Sequence, residues 1–301
     1  MVLKHKLKGK VFVEDGGNLL YLNPKNFKLS HIFECGQAFH FNGIDENIYV
    51  TVGENDFLII EEKNDKVIFK DINLERFKNI WWNYFDLSRD YDEVKENISK
   101  DEVMKKAIEF GYGIRVLNQP IFECLMSFII SANNQIPRIK KSIKLISEKY
   151  GKYLGNAFGE KLYSFPEPKA FLTVTPKDLR DNCSVGFRDE RIVETARKIH
   201  NDFSKLYKLK SKSYEELKKI LMQFKGVGPK VADCVLLFAF EKSESFPVDV
   251  WIKRVMENLY FNEEVPIKET AERARKIFGK YSGFAQQYLF YYGREHKIGV
   301  K

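Results

Sequence analysis

A short stretch of the chain combines a glycine-rich turn with a reactive amine, and a carboxylate follows it closely. The sequence Gly-Val-Gly-Pro-Lys occupies positions 226–230, and Asp249 lies nineteen positions after Lys230. A neutral lysine amine is a nucleophile, and a fixed carboxylate can stabilise positive charge that develops on a substrate. The two side chains therefore predict covalent chemistry on an electrophilic carbon.

The glycine-rich turn is predicted to join two helices. Residues 213–225 carry apolar side chains at helical spacing. Gly226 can adopt the left-handed conformation that closes a helix, and Gly228 leaves the turn without a side chain. Pro229 suits the first turn of a second helix, 229–241, whose exposed amides favour an anion such as phosphate. The alternative is an ordinary link between two core helices, which a lone Gly-x-Gly would favour.

Lys230 is unusual for its position at the start of this second helix. The positive end of the helix dipole disfavours an ammonium there, so a lysine at this place is better suited to chemistry than to the surface. Cys234 follows one helical turn later on the same face. A polarizable wall beside an amine suits a flat ligand, although spacing alone favours a small buried hydrophobic residue at Cys234.

Asp249 has two compatible interpretations. It precedes a helical pattern that extends to residue 260, so it can be the N-cap of that helix. A capping carboxylate is held in place by helix amides and stays ionised, which would also let it stabilise a cationic sugar. The apolar residues 246–248 in front of it would keep the carboxylate in a restricted site.

Composition restricts the class of protein. The chain has 301 residues, 44% of them hydrophobic, and a formal net charge of +8, which suits a polyanionic partner. Its four cysteines form no Cys-x-x-Cys pair and its five histidines form no i, i+4 pair, which argues against a zinc or iron–sulfur site. The start of the chain lacks a secretory core, and no apolar run is long enough for a membrane span. We expect a cytoplasmic monomer that binds no membrane.

Hydrophobic periodicity predicts an α+β architecture. The N-terminal part, 1–90, alternates β-branched and aromatic residues with turn signals, which is typical of an antiparallel sheet. Its predicted strands are 11–13, 19–22, 38–41, 48–52, 57–61 and 66–70. The remainder, 91–301, is predicted to be helical and to contain the hairpin, 213–241. The predicted helices are 74–84, 92–110, 120–132, 137–150, 188–207, 213–225, 229–241, 249–260 and 267–291.

Two polar stretches are further candidates for a binding role. Asn133 opens a run of three carboxamides after a buried helix, followed by Arg138. Such a cluster suits the edges of nucleic-acid bases, although a polar helix end is the more ordinary explanation. Phe187 and Arg188 follow Gly186. An exposed aromatic residue beside an arginine fits a wedge between bases, and the alternative is a core anchor for a helix start.

These residues, in this order along nearly the whole chain, resemble the 8-oxoguanine DNA glycosylase/AP lyases of the helix-hairpin-helix superfamily, in the form that bacteria and archaea carry. The resemblance rests on six spaced segments, 34–39, 122–134, 186–188, 226–234, 247–249 and 285–290. It implies a bifunctional enzyme of base excision repair that flips an oxidised purine out of duplex DNA. Lys230 would attack the sugar C1′ and form a Schiff base that permits β-elimination, while Asp249 would stabilise the cationic transition state.

The resemblance also implies how the damaged base is recognised. The carbonyl of Gly36 would accept a hydrogen bond from the N7 hydrogen, which 8-oxoguanine has and guanine lacks. Cys234 and Phe290 would sandwich the base, and Gln286 would bind its pairing edge. The spacing agrees with the last two assignments, because Gln286 and Phe290 share a helix face.

The undamaged strand has its own implied contacts. Asn133 would fill the vacated stack, Arg138 and Arg188 would donate to the orphaned cytosine, and Phe187 would act as the wedge. The backbone of Gly226, Val227 and Gly228 would bind phosphate. The resemblance implies no catalytic cofactor, but it implies a structural cation at the carbonyls of the hairpin.

Some positions depart from the animal and fungal pattern. Trp251 stands where those members have a histidine that contacts phosphate, and Phe187 replaces a tyrosine. Two other kinds of protein stay open: a glycosylase of the same superfamily for alkylated purines or oxidised pyrimidines, and a non-catalytic DNA-binding module. Lys230 and the lack of a cysteine-rich cluster argue against the first, and the pair Lys230 and Asp249 argues against the second.

Overall fold

The computed structural model describes residues 3–201, 206 and 208–299. Its N-terminal part is an antiparallel sheet of seven strands in the order β1-β2-β3-β7-β6-β5-β4, which confirms the predicted sheet. The strands are β1 Leu3–Leu7, β2 Lys10–Asp15, β3 Asn18–Leu22, β4 Phe41–Gly43, β5 Ile48–Gly53, β6 Asp56–Lys63 and β7 Lys66–Lys70.

Turn chemistry sets the register of these strands. Gly16 and Gly17 both have positive φ, +56° and +81°, and close the β2–β3 hairpin so that Phe12 pairs with Tyr21. The rings of that pair stack with their centroids 4.9 Å apart. The predicted strand 38–41 was wrong, because residues 38–40 form a loop and β4 begins at Phe41. The first strand, β1, was also missed by the sequence prediction, because its residues alternate weakly.

The helical body accounts for most of the chain beyond the sheet. The helices are α1 Leu29–Phe33, α2 Leu74–Asn79, α3 Trp81–Tyr84, α4 Tyr91–Ile98, α5 Glu102–Phe110, α6 Ile121–Ser131, α7 Ile136–Tyr150, α8 Pro176–Cys183, α9 Asp189–Asn201, α10 Tyr214–Leu221, α11 Pro229–Phe238, α12 Val250–Met256, α13 Ile267–Phe278 and α14 Ser282–Glu295. The α+β architecture is thereby confirmed. Helices α1–α3 pack with the sheet, and the others form the helical body.

Several predicted helices are shorter than periodicity indicated. The span 92–110 breaks between α4 and α5, where Asp101 accepts from the amide of Met104 and starts a new helix. The span 267–291 breaks at Gly279, whose φ is +62°. The span 188–207 ends as α9 at Asn201, and most of its remaining residues lie outside the described ranges. In each broken span a capping or left-handed residue interrupts a hydrophobic period that continues past it.

A small hairpin and a helix were missed between α7 and α9. The hairpin pairs β8, Tyr153–Ala157, with β9, Glu160–Tyr163, and α8 follows it. Phe158 and Gly159 form the turn with positive φ, +49° and +78°. Strands of four or five residues give too short an alternation to be recognised in a sequence.

Two apolar cores support the candidate site. The sheet and α1–α3 enclose one core, and α4–α14 enclose the other. Helix α6 lies in the centre of the second core with residues 121–130 buried, which confirms the predicted buried helix. Within the described ranges, no helix combines the length and apolar character that a membrane crossing requires.

Candidate active site

The two helices joined by the glycine-rich turn form where they were predicted, although the first helix is shorter. Helix α10 ends at Leu221 instead of continuing to 225, and α11 begins at Pro229. Gly226 has a φ of +85°, and a Cβ added there would lie 2.6 Å from Cδ of Arg191. Gly228 has a φ of −90°, and a Cβ there would meet nothing within 4 Å. Only Gly226 is therefore required by the conformation of the turn, whereas Gly228 keeps its outer surface open.

A buried polar network holds the two helices of the hairpin together. Asp233 on α11 accepts from Tyr214 Oη at 2.7 Å and from Lys218 Nζ at 2.8 Å, both on α10. Ser245 Oγ adds a donor at 3.2 Å. Burial raises the pKa of Asp233, and the Lys218 ammonium opposes that rise. If one of these side chains moved away, its partners would be left as buried polar groups without a hydrogen bond, which is costly. The network therefore fixes the position of α11 and, with it, the position of Lys230.

Lys230 projects from the first turn of α11 into a partly buried place lined by α6. Its Nζ lies 5.1 Å from the ring centroid of Phe128 on α6. Cys234 is fully enclosed one turn further along, and burial raises the pKa of its thiol to about 11, opposed by the Lys230 ammonium. Cys234 is therefore a neutral thiol at neutral pH and is the small buried residue that its spacing favoured. Its role as a polarizable wall beside a flat ligand stays a prediction.

Asp249 is the N-cap of α12, as its position in the sequence predicted. One carboxylate oxygen, Oδ1, accepts from the amide of Ile252 at 2.8 Å. The carboxylate also contributes to the field at Cys234, where it raises the pKa of the thiol. Lys230, Cys234 and Asp249 thus share one site, and the cap fixes the carboxylate without occupying both of its oxygens.

Gly36 and Phe290 meet across the boundary between the sheet region and the last helix. Gly36 has a φ of +82°, and a Cβ added to it would lie 2.8 Å from Cε1 of Phe290. Both the backbone conformation and the close aromatic ring therefore require glycine at this position. Gly36 and Phe290 lie near opposite ends of the sequence, and together they form one wall of the candidate site.

Gln286 lies one helical turn before Phe290 on α14 and is 5% exposed. Its Oε1 is buried and has no hydrogen-bond partner among the described residues. A buried carboxamide oxygen without a donor is costly, and such atoms are uncommon in folded proteins. The free acceptor fits a ligand that brings its own N–H group.

Three of the four residues predicted to meet the second strand, Asn133, Arg138 and Phe187, are exposed. Phe187 is 55% exposed, which excludes a role as a core anchor. Its ring lies 4.2 Å from the guanidinium carbon of Arg188 and 5.2 Å from that of Arg191. Asn133 is exposed with a φ of +50°, and Arg138 is exposed in the first turn of α7. The exposed ring of Phe187 thus lies between two cations.

Arg188 is placed differently from what the sequence suggested. It is 6% exposed, and its guanidinium donates to the carbonyls of Ala132, Asn133 and Val185. Those bonds connect the wedge to the turn after α6. Only the second hydrogen of Nη1 is left over for a base, so its contact with cytosine stays a prediction.

Other residues near the site carried no recognisable signal in the sequence. Phe128 sits within an apolar helix where any aromatic residue would suit the core, and Arg191 lies on the charged face of α9. Trp251, at the departure from the animal and fungal pattern, lies 5.8 Å from the guanidinium carbon of Arg254, so a cation stays close to that position. In the described ranges, no group of three or more His, Cys, Asp or Glu side chains is arranged to hold a metal.

Comparisons with known proteins agree with this geometry. Residues 19–125 match the family described as 8-oxoguanine DNA glycosylase, N-terminal domain, and residues 126–280 match the HhH-GPD superfamily base excision DNA repair proteins. The boundary between the two matches falls within α6. The predicted division at residue 90 stays a prediction.

Relatives and solved structures point the same way. A probable N-glycosylase/DNA lyase of Methanothermobacter thermautotrophicus is 32% identical over 70% of this chain and 72% of its own length. The N-glycosylase/DNA lyase of Saccharomyces cerevisiae is 30% identical over 80% of this chain and 70% of its own length. The 8-oxoguanine glycosylase/lyase of Clostridium acetobutylicum, solved with duplex DNA that has cytosine opposite 8-oxoguanine, is 41% identical over 99% of both chains, with a TM-score of 0.91. This chain belongs to the 8-oxoguanine DNA glycosylase family within the HhH-GPD superfamily of base excision DNA repair proteins.

Proposed function

We propose that this protein excises 8-oxoguanine from duplex DNA and then nicks the strand as an AP lyase. The observation that supports this choice of substrate is the Oε1 atom of Gln286, which has no hydrogen-bond partner among the described residues and lies next to the wall formed by Gly36 and Phe290. A guanine-type base offers N–H donors on its pairing edge, so it can supply the partner that this acceptor lacks. The fold alone would not identify which damaged base is excised.

The reaction follows from the arrangement of Lys230 and Asp249. A base inside the duplex cannot be attacked, so the damaged nucleotide must leave the stack first. The amine of Lys230 forms a bond to C1′ as the bond from C1′ to the base breaks, and the proton that the attacking nitrogen loses neutralises the departing purine. Asp249 supplies a fixed negative charge beside the sugar while C1′ is cationic.

Strand scission uses the covalent intermediate. Loss of the ring oxygen from C1′ gives a Schiff base between C1′ and Lys230 Nζ. A proton is then removed from C2′, and the electron pair expels the 3′ phosphate, which breaks the strand. Hydrolysis of the Schiff base returns the free amine, so no external reductant or oxidant is consumed.

DNA binding is proposed to use two surfaces. The turn at Gly226, Val227 and Gly228 leads into α11, whose start no side chain caps, so the amides there suit a phosphate of the damaged strand. The amide of Val227 itself already donates to the carbonyl of Phe224. Asn133, Arg138, Arg188 and Phe187 are assigned to the opposite strand. The net charge of +8 favours both contacts.

The remaining expectations are proposals as well. We propose a cytoplasmic monomer that needs no catalytic cofactor, because Lys230 supplies the nucleophile. A structural cation at the hairpin fits only in part: the carbonyls of Gln223 and Lys225 already accept from Lys198 Nζ and Thr195 Oγ1. Each of these oxygens has a second lone pair, which a cation could use.

A direct test uses duplexes that carry 8-oxoguanine opposite each of the four bases, incubated with and without borohydride. We expect base release, strand nicking and a covalent adduct with the unaltered protein. Lys230→Gln should bind the duplex but lose release and trapping by several orders of magnitude, as expected when a nucleophile is removed. Covalent trapping by the Lys230→Gln variant would show that another residue is the nucleophile.

A further inference from the structure

One face of α14 carries three functional side chains. Gln286, Phe290 and Arg294 are spaced four residues apart, so they lie in a row along the helix. The first two face the candidate base site. Arg294 comes at the last turn of the helix, where the helix dipole favours a cation.

Arg294 connects this row to the loop that carries Gly36. Its Nη2 donates to the carbonyl of Glu34 at 2.6 Å, and its guanidinium carbon lies 5.6 Å from the ring centroid of Phe290. Its Nη1 is 3.5 Å from the place that a Cβ would occupy at Gly36. Glu295 accepts from Nε at 2.9 Å and so orients the guanidinium. One side chain therefore touches both halves of the wall.

The carbonyls around Gly36 are held by side chains. Besides Glu34, the carbonyl of Cys35 accepts from Gln287 Nε2 at 2.6 Å, and the carbonyl of Gln37 accepts from Gln119 Nε2 at 2.8 Å. The carbonyl of Gly36 has no such donor among the described residues. The loop is thus fixed on both sides of the one carbonyl that stays available to a ligand.

We infer that Arg294, assisted by Gln287, is a positioning residue for recognition of the oxidised purine. It sets the distance between the Gly36 carbonyl and the Phe290 ring and so shapes the slot for the base. The inference rests on the proposed excision of 8-oxoguanine. The contacts of Arg294 are with Glu34, Gly36, Phe290, Tyr291 and Glu295, and none of them is with Lys230. The lyase step at an existing abasic site should therefore not depend on it.

The test compares two substrates that differ only in the base. Duplexes with 8-oxoguanine or with a preformed abasic site are given to the unaltered protein and to Arg294→Met. We expect kcat/KM for base release to fall about tenfold to a hundredfold, the range for losing one charge-assisted hydrogen bond. Cleavage of the abasic duplex should stay within about twofold, because it needs no base pocket. Arg294→Lys, which keeps a donor and the charge, should recover part of the loss.

Arg273→Met is the matched control, since it removes a surface arginine of α13 whose ion-pair partners are Glu269 on the same helix and Glu263 in the segment before it. It should leave both substrates unaffected. An equal loss on both substrates, or no loss on either, in Arg294→Met would overturn the positioning role. If the unaltered protein cleaves abasic DNA but releases no 8-oxoguanine, the proposed substrate fails and the inference fails with it.

Discussion

The hairpin side and the base-recognition side of the site are built in opposite ways. Lys230, Cys234 and Asp249 come from one continuous segment, nineteen positions from lysine to aspartate. The facing wall joins Gly36 to Phe290, and the bond that secures it connects residues 260 positions apart, Glu34 and Arg294. The residues proposed for the chemistry thus lie close together in the sequence, whereas those proposed for selectivity meet only when two distant parts of the chain fold together.

This difference means that the two sides can be disabled separately. A change on the hairpin side should reduce catalysis on every substrate that the enzyme binds. A change on the recognition side should reduce only those steps that need the base. Comparing 8-oxoguanine duplexes with abasic duplexes therefore separates the two sides.

The largest effect after loss of the nucleophile is expected for Asp249→Asn. Asparagine caps a helix as well as aspartate does, so α12 should be retained while the negative charge is lost. We expect single-turnover base release to slow about a hundredfold to a thousandfold, comparable to the loss of other preorganised electrostatic groups. The measurement is the rate at saturating enzyme, together with the Kd for the duplex.

The change should leave the Kd close to its original value. A loss of duplex affinity as large as the loss of rate would mean that Asp249 acts in binding. The melting temperature of the variant provides the control for the cap.

A smaller effect is expected for Gly36→Ala, which targets the recognition side. The methyl group would force a positive φ on alanine and press on Cε1 of Phe290, at a cost of about 1–3 kcal/mol. Base release should fall about tenfold to a hundredfold, since about 1.4 kcal/mol corresponds to a factor of ten. Cleavage of a preformed abasic site should hardly change.

Gly228→Ala is the matched substitution on the hairpin side. Because Gly228 has a φ of −90° and open space around it, the fold should lose less than about 0.5 kcal/mol. Any loss should appear in duplex affinity and should affect both substrates alike. If Gly36→Ala and Gly228→Ala gave the same pattern, the separation of the two sides would be wrong.

The smallest effect on catalysis concerns His31, which joins α1 to α14. Its ring is 6% exposed and lies 5.6 Å from that of Tyr291, and its Nδ1 accepts from the amide of Gly113 at 3.2 Å. Burial, with help from the nearby Lys28 and Lys95 ammonium groups, lowers the pKa of His31 to about 4. The imidazole is therefore neutral in the folded protein at physiological pH.

Between pH 6.5 and 4, the unfolded chain binds a proton that folded His31 does not. The free energy of unfolding should therefore fall as the pH drops through this window, by up to about 3 kcal/mol from this group. Urea unfolding at pH 7.5 and pH 5 measures the change, and His31→Asn should show a smaller change. Equal pH dependence in both proteins would contradict the assignment.

The sequence was most informative where one local pattern determines the structure. The buried helix α6, the hairpin and the cap at Asp249 each follow from periodicity, glycine or a capping side chain within a few residues. The helices broken at Asp101 and Gly279 show the limit of periodicity, because an apolar stripe can continue across a break.

Long-range contacts explain what local patterns could not predict. The meeting of Gly36 with Phe290 was available only through the family resemblance, since no spacing rule connects residues at the two ends of a chain. Arg188 donates to the carbonyls of Ala132 and Asn133, which follow α6, and this contact forms only when segments far apart in the sequence pack together. The loop at 38–40 alternates like a strand, but Phe39 packs against Phe128 of α6, and among the described residues only the carbonyl of His40 accepts from a strand residue, Val52.

The position of Arg191 has a mechanical consequence. Its aliphatic stem fills the space above Gly226, and its guanidinium stands beside the ring of Phe187. One side chain thereby connects the turn proposed to bind phosphate with the ring proposed as the wedge, and it contributes to the separation between them. If the turn and the ring bind the two strands as proposed, their separation sets the shape that the duplex must adopt, and we expect that shape to cost the least energy at steps already weakened by damage.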